Sequence, residues 1–263
     1  MTLPDIQHIN QIARDAGDAI LQVYAQDFEV EEKADSSPLT QADMASHRLI
    51  EAALGQLTPE IPVLSEESAS IPYAQRRQWQ RYWLIDPLDG TREFVKHNGE
   101  FTVNIALIDD GYPVLGVVYV PVTGVTYFGD TQAGAFRQDG HGEPVPIQVT
   151  RQCASPMRVA GSRSHAGDSL VQFLQKLPPH EMVSMGSSLK LCLVAEGKAD
   201  IYPRLGPTSE WDTAAAQAVV EAAGGLVTDT DLQRLVYNQK ESLLNPYFLV
   251  FGDDTIDWKS YLV

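Results

Sequence analysis

The chain has 263 residues, of which 44% are hydrophobic and 21% are charged, and its formal net charge is −16. These values predict a globular protein of one or two domains with a large core. The negative charge disfavours binding to nucleic acid, which requires a basic surface. The sequence contains no run approaching the roughly 20 apolar residues of a transmembrane helix, and its N-terminus does not resemble a signal peptide.

The two cysteines, Cys153 and Cys192, lack the spacing of a metal site. They indicate a reduced, cytoplasmic protein, and a single disulfide between them is the alternative. Peripheral attachment to the cytoplasmic face of the inner membrane also stays open, because a surface patch leaves no linear signature.

The first half of the chain predicts two helices followed by a sheet. Apolar residues at helical spacing predict one helix over residues 6–24 and another from about Asp43 to Leu57. Residues 69–81 are polar and have no assigned role. Strands are predicted at 61–64 and 82–85, and then, as an antiparallel meander, at 101–108, 114–120, 124–128 and 133–137.

The second half alternates between strands and helices. Strands are predicted at 157–160, 199–202, 226–228 and 248–251, and helices at 168–177, 187–196 and 211–223. The segment 138–156 is rich in Gly, Pro and polar residues, which favours a boundary there. The prediction is an α+β domain over 1–150, built on an antiparallel sheet, followed by a mixed α/β domain over 151–263.

The most informative segment is Asp86-Pro87-Leu88-Asp89-Gly90-Thr91. A buried strand is expected to stop at Asp-Pro, and Asp-Gly follows, so that two carboxylates three residues apart lie on one tight turn. Converging carboxylates repel one another unless a positive charge lies between them, and a hard divalent cation is the simplest one. Taken alone, the segment could also be an ordinary turn.

Further acidic residues lie at the predicted ends of other elements: Glu66-Glu67 after a strand, Asp43 at the start of the second helix, and Asp212 at the start of the helix from Trp211. Each alone is explained by helix capping, the helix dipole or a solvated loop. Together they predict a site in the cleft between the two domains.

These segments resemble the inositol monophosphatase superfamily. Asp86 to Thr91 and Trp211-Asp212-Thr213-Ala214-Ala215 look like its two signature motifs, and the upstream Glu-Glu pair and Thr-x-x-Asp element also fit. The similarity covers essentially the whole chain. It implies a layered αβαβα sandwich and a Mg²⁺-dependent, Li⁺-sensitive phosphatase that is a monomer or a homodimer.

The resemblance implies two or three Mg²⁺ ions per active site. Glu66, Asp86 and the backbone carbonyl of Leu88 would hold the first ion, and Glu66 with water a weaker third ion. The second ion would lie between Asp86, Asp89 and Asp212. Asp89 and Asp212 would also contact the substrate.

The resemblance also implies catalytic roles for Glu66 and three further residues. Thr91 and Asp43 would orient the attacking water, with assistance from Glu67. The backbone of Gly90 and Thr91 would bind the scissile phosphate, provided that it opens a short helix.

Three further segments are similar to the 3′(2′),5′-bisphosphate nucleotidases of this superfamily: residues 161–165, 186–190 and 202–208. Their Arg and Lys side chains suit phosphate, and Ser187 and Ser188 are expected to open a helix whose N–H groups favour an anion. The implied substrate contacts are His165, Ser187, Lys190 and Arg204.

Two departures argue against an inositol substrate. Arg92-Glu93-Phe94 replaces the Thr-Asn-Phe typical of the inositol branch, and Leu205 stands where that branch places a Glu that binds ring hydroxyls. The predicted reaction is hydrolysis of adenosine 3′,5′-bisphosphate to AMP and phosphate, with its sulfated relative as a further substrate. An inositol or fructose-bisphosphate phosphatase is the alternative, and a non-enzymatic cation-binding protein is the alternative of another class.

Overall fold

The structure is a computed structural model that describes residues 3–25, 30–32, 38–161 and 167–262, with the backbone alone for 30–32 and 38–40. Its helices are α1 (Ile6–Tyr24), α2 (Gln41–Leu57), α3 (Tyr73–Arg76), α4 (Thr91–Val95), α5 (Asp168–Lys176), α6 (Leu189–Ala195) and α7 (Ala214–Ala222). Two 3₁₀ turns cover Glu66–Ser68 and Trp258–Tyr261. In the described part of the chain, no helix is long and apolar enough to cross a membrane.

The first half of the chain builds a seven-stranded sheet in sequence order. Its first two strands are parallel and all other neighbours are antiparallel, which confirms the predicted meander. The strands are β3 (Val63–Ser65), β4 (Arg81–Asp89), β5 (Thr102–Asp109), β6 (Tyr112–Val120), β7 (Val125–Asp130), β8 (Gly134–Asp139) and β9 (Val145–Pro146). A separate antiparallel pair consists of β1 (Val30–Glu32) and β2 (Pro38–Thr40).

The second half builds a five-stranded mixed sheet in the order β11-β10-β12-β14-β13. The strands are β10 (Met157–Gly161), β11 (His180–Ser184), β12 (Ile201–Arg204), β13 (Leu226–Asp229) and β14 (Phe248–Phe251). Strand β10 runs parallel to β11 and β12, and the other pairs are antiparallel. The edge strand β11 was not predicted, because its residues are half-buried or exposed and form no apolar run.

Three hydrophobic clusters show how the layers stack. One joins α1 and α2 to a face of the seven-stranded sheet, and a second packs α6 and α7 between the two sheets. The third packs α5 and the C-terminal turn against the outer face of the five-stranded sheet. The order of layers is therefore αβαβα, as the family resemblance implied.

Small residues bring α7 close to the seven-stranded sheet. A Cβ atom at Gly116 of β6 would lie 2.2 Å from the carbonyl oxygen of Ala215, and one at Gly129 of β7 would lie 2.9 Å from Ala222. Glycine at these points and alanine along α7 permit this packing. The turn that precedes α7 is thereby held beside β4 and β5.

Several predicted boundaries differ from the structure. The segment 138–156 contains strand β9 at the edge of the sheet, and the polar stretch 69–81 contains α3 and the first residue of β4. The helices predicted from Ser187 and Trp211 begin at Leu189 and Ala214. In both cases the preceding residues form turns that face the site described below. Cys153 and Cys192 are free thiols, so the alternative of a disulfide was wrong.

Candidate active site

Asp86 and Asp89 lie on opposite sides of a bulge in β4. The predicted stop at Asp-Pro was wrong, since the strand continues to Asp89. Asp86 pairs with Asn104 and Asp89 pairs with Thr102, so β4 carries one residue more than β5 between these pairs. Side chains three apart in a regular strand point to opposite faces, and the extra residue re-aims one of them. Pro87 is tolerated because a bulge interrupts the ladder.

Asp212, from the turn before α7, completes a cluster of three carboxylates. One oxygen from each of Asp86, Asp89 and Asp212 lies within 4.8 Å of the others. The pKa of Asp212 is raised to about 8, mainly by burial and secondly by the negative charge of Asp89. Burial also raises the pKa of Asp86 well above its usual range, with contributions from the carboxylates of Glu66, Asp89, Asp212 and Asp43. Asp86 is buried and Asp89 and Asp212 are half-buried, and closely spaced carboxylates that raise one another's pKa in this way fit a hard divalent cation.

A backbone N–H group orients each carboxylate of the cluster. The donors are Leu88 to Asp86 Oδ1 at 3.0 Å, Ser209 to Asp212 Oδ2 at 2.8 Å, and Ser188 to Asp89 Oδ2. One oxygen of each carboxylate is thus fixed by the backbone and the other is left for a ligand, which is how supporting hydrogen bonds preorganise metal sites.

Asp89 has additional support from β5. The Thr102 hydroxyl and the Asn104 amide approach the same Asp89 oxygen at 3.4 and 3.5 Å, and the Ser188 hydroxyl hydrogen-bonds both side chains at 2.9 Å. Thr102 and Asn104 were not predicted as site residues, although two polar residues at alternate positions of an otherwise apolar strand were a usable signal. The Ser188 N–H was predicted to favour a ligand anion, and it donates to Asp89 instead.

The upstream acidic residues are placed by the elements around the bulge. Glu66 and Glu67 open the 3₁₀ turn after β3, where the Ser65 hydroxyl accepts the Glu67 N–H at 3.3 Å. Asp43 is fully buried in the first turn of α2, and Ser46 on the same helix donates to the Pro87 carbonyl at 2.7 Å. Helix α2 is therefore attached to the bulge itself. The roles of Thr91, at the start of α4, and of the Leu88 carbonyl stay predictions.

A cavity of about 300 Å³ opens beside the carboxylates, a size suited to a small ligand. Both halves of the chain line it: Asp89, Gly90, Arg92, Glu93 and Lys96 from the first half, and Gly186, Ser187, Ser188, Lys190, Leu191, Tyr202, Arg204, Thr208, Asp212, Thr213 and Phe248 from the second.

Two of the predicted substrate-binding residues, Lys190 and Arg204, line this cavity with positively charged side chains. Lys190 is buried, and this burial lowers the pKa of its ammonium group. Its Nζ donates to the Ser187 carbonyl at 2.6 Å and lies 5.6 Å from the centre of the Tyr202 ring. Arg204 donates to the Pro207 carbonyl at 2.8 Å. These contacts hold both side chains in the cavity wall, where their charge faces the space beside Asp89 and Asp212.

Ser187, another predicted contact, has a backbone φ of 44° and a buried hydroxyl that makes no hydrogen bond within the described part of the chain. A buried donor of this kind is costly without a partner, so a ligand atom would stabilise it. His165 lies outside the described residues.

Arg92 and Lys96 are further basic residues of the cavity that were not predicted as substrate contacts. Arg92 lies on α4 and Lys96 follows its last residue, about one turn further on, and both are exposed. Neither forms an ion pair with any residue that the structure describes. The signal available in the sequence was their position directly after the Asp-Gly-Thr motif.

The fold is that of a phosphatase superfamily, and the sequence comparisons agree. Residues 4–250 match the profile of the Inositol monophosphatase family. The chain is 53% identical over 247 residues to the 3′(2′),5′-bisphosphate nucleotidase CysQ of Salmonella typhimurium and, equally, to that of Escherichia coli strain K12, covering 93% of this chain and 98% of theirs. The crystal structure of CysQ from Bacteroides thetaiotaomicron superposes with a TM-score of 0.81 at 41% identity, covering 94% of this chain and 97% of that one. This chain belongs to the inositol monophosphatase family.

Proposed function

We propose that this chain is a Mg²⁺-dependent 3′(2′),5′-bisphosphate nucleotidase that hydrolyses adenosine 3′,5′-bisphosphate to AMP and phosphate. The observation that carries the proposal is that the three-carboxylate cluster borders a cavity containing four basic side chains, Arg92, Lys96, Lys190 and Arg204. A second phosphate needs such cations at a distance from the reacting phosphate. The CysQ relatives carry this activity in their names. We treat 1–150 and 151–263 as two domains with the cavity between them.

The residues of the cluster would hold two or three Mg²⁺ ions. Asp86, Asp89 and Asp212 offer their free oxygens, and Glu66 and the Leu88 carbonyl complete the proposed set. Bound Mg²⁺ would neutralise the carboxylates and the phosphate and would lower the pKa of water in the site. The closely spaced, backbone-oriented carboxylates support this assignment because their arrangement is costly without a cation.

The chain's own residues would position the reactants. In hydrolysis the water oxygen bonds to phosphorus, the bond from phosphorus to the ribose 3′ oxygen breaks, and that oxygen gains a proton. We assign the orientation of the water and the removal of its proton to Thr91 and Asp43, with support from Glu67. Gly90 precedes α4 with a φ of 94°, which suits glycine, and places the first N–H groups of the helix next to the cavity.

The second phosphate and the ribose would lie against the basic side of the cavity. Lys190 and Arg204 would bind phosphate oxygens, and the Ser187 hydroxyl would gain the partner that it lacks. Arg92 and Lys96 would strengthen binding from the mouth of the cavity. His165 is assigned to the substrate on the resemblance alone.

An inositol substrate is disfavoured by the surroundings of Leu205. This residue packs against the hydrophobic cluster on the outer face of the five-stranded sheet and supplies no oxygen for ring hydroxyls.

The test is phosphate release by the purified protein with Mg²⁺, comparing adenosine 3′,5′-bisphosphate, its sulfated relative, inositol 1-phosphate and fructose 1,6-bisphosphate at equal concentrations. We expect a strong preference for the nucleotides. A preference for either sugar phosphate would refute the substrate assignment. The variant Asp89→Asn should abolish turnover with every substrate while remaining folded, and normal turnover by this variant would refute the metal site.

The second-phosphate site needs a substrate that lacks this group. Lys190→Met should raise KM for adenosine 3′,5′-bisphosphate about tenfold or more and raise KM for adenosine 3′-monophosphate much less, because only the first nucleotide loses the partner of its second phosphate, whereas the lost interaction with Asp89 affects both nucleotides alike. Arg92→Met should act in the same direction with a smaller effect, since Arg92 is exposed. An equal increase for both nucleotides would contradict the assignment.

A further inference from the structure

A buried polar cluster lies behind the turn that carries Asp212 and outside the cavity. It consists of Arg76 on α3, Glu210 two residues before Asp212, and Asn238 in the connection between β13 and β14. Their exposed fractions are 2%, 1% and 6%. Charged residues are rarely buried to this extent unless their partners are fixed.

The contacts join three separate parts of the chain. The Arg76 guanidinium donates to Asn238 Oδ1 and to the Glu241 carbonyl, and Asn238 Nδ2 donates back to the Arg76 carbonyl at 2.7 Å. The Asn238 N–H donates to Glu210 Oε2 at 2.9 Å. Arg76 therefore fixes the 238–241 segment, and this segment fixes the Glu210 side chain.

The backbone of the same region orients Asp212. The Glu210 N–H donates to the Leu243 carbonyl at 2.8 Å, and the Asn245 amide donates to the Ser209 carbonyl at 2.9 Å. The Ser209 N–H is the donor that holds Asp212 Oδ2. The 238–245 segment thus holds the Ser209–Glu210 peptide group through both its carbonyl and its N–H, directly after the Ser209 N–H that sets the direction of the Asp212 carboxylate.

From these contacts we propose that Arg76, Asn238 and Glu210 are positioning residues for the metal site, acting through the turn that carries Asp212. This inference rests on the proposed function. Stability alone gives little reason for the cluster, because apolar residues of similar volume commonly stabilise a core as well as a buried charged network does. The arrangement also gives a role to the polar stretch 69–81, since α3 contributes Arg76.

The test compares Glu210→Ala with the conservative Glu210→Gln. The alanine variant loses the acceptor for the Asn238 N–H, so Mg²⁺ binding measured by calorimetry should weaken about 10- to 100-fold, the usual range for supporting residues around a metal. The Mg²⁺ concentration for half-maximal activity should rise by the same factor, while KM for the nucleotide at saturating Mg²⁺ stays unchanged. The glutamine variant keeps an acceptor and should bind Mg²⁺ within a few-fold of the parent protein.

Asp200→Asn is the matched control. Asp200 is also buried and pairs with Arg158 at 2.6 Å, in a contact that involves no residue of the acidic cluster. This variant should lose stability and keep its affinity for Mg²⁺. If Glu210→Ala does not fold, Arg76→Lys takes its place. This variant keeps the positive charge but cannot donate to both Asn238 and the Glu241 carbonyl as the guanidinium does, so it should weaken Mg²⁺ binding several-fold.

The inference is overturned if folded Glu210→Ala, or Arg76→Lys in its place, binds Mg²⁺ as tightly as the parent protein. It is also overturned if Asp200→Asn weakens Mg²⁺ binding equally, since the effect would then be one of general destabilisation. A parent protein that neither binds Mg²⁺ nor releases phosphate would instead refute the proposed function.

Discussion

Replacing Asp212 with Asn should stabilise the metal-free protein, by an amount that grows with pH. The pKa of Asp212 is raised from 3.8 to about 8 by burial and by Asp89. Between these values the unfolded chain carries this carboxyl ionised while the folded protein keeps its proton. The raised pKa therefore contributes stability that is complete below pH 3.8 and is lost as the pH rises through about 8.

The magnitude follows from the linkage relation. The parent protein loses about 1.4 kcal/mol per pH unit through this one group, and the Asn variant does not. The difference in free energy of unfolding, Asp212→Asn minus parent, should therefore increase by about 3 kcal/mol between pH 5 and pH 7. This difference should level off above pH 8. The Asn side-chain oxygen can still accept the Ser209 N–H, so no buried donor is orphaned.

The assay is urea unfolding of both proteins in EDTA at pH 5, 6, 7, 8 and 9. Saturating Mg²⁺ should reverse the order, because the parent protein gains binding free energy and the variant lacks a ligand. A difference in stability that is independent of pH in EDTA would refute the electrostatic account of the cluster.

Three further expectations concern the same site. Thr91→Ala should lower kcat at least tenfold with little change in KM, and an effect confined to KM would contradict its role in orienting water. Gly90→Ala should cost about 1–2 kcal/mol by urea unfolding, because φ is 94° and the new Cβ would lie 3.2 Å from the Glu100 carbonyl; unchanged stability would show that the turn can relax. Millimolar Li⁺ should inhibit phosphate release, and full activity would count against the metal site that the family resemblance implies.

Local sequence patterns were sufficient to predict a helix or strand whose position depends on its own residues alone. The helical spacing from Ile6 to Tyr24 and the alternation of the meander predicted α1 and four strands of the large sheet within one or two residues. The prediction failed at the Asp86–Asp89 bulge. A Pro within a strand normally marks its end, and only the pairing with β5 shows that β4 continues.

The sequence by itself determined which side chains could do the chemistry, because carboxylates, basic residues and turn formers are recognisable in short motifs. Tertiary structure alone decided which of them meet. The Ser188 N–H binds Asp89 across 99 residues of sequence, and Arg76 binds Asn238 across 162. Such contacts leave no local pattern, since they arise from the stacking of two sheets around α6 and α7, and that packing converts separate acidic motifs into one candidate active site.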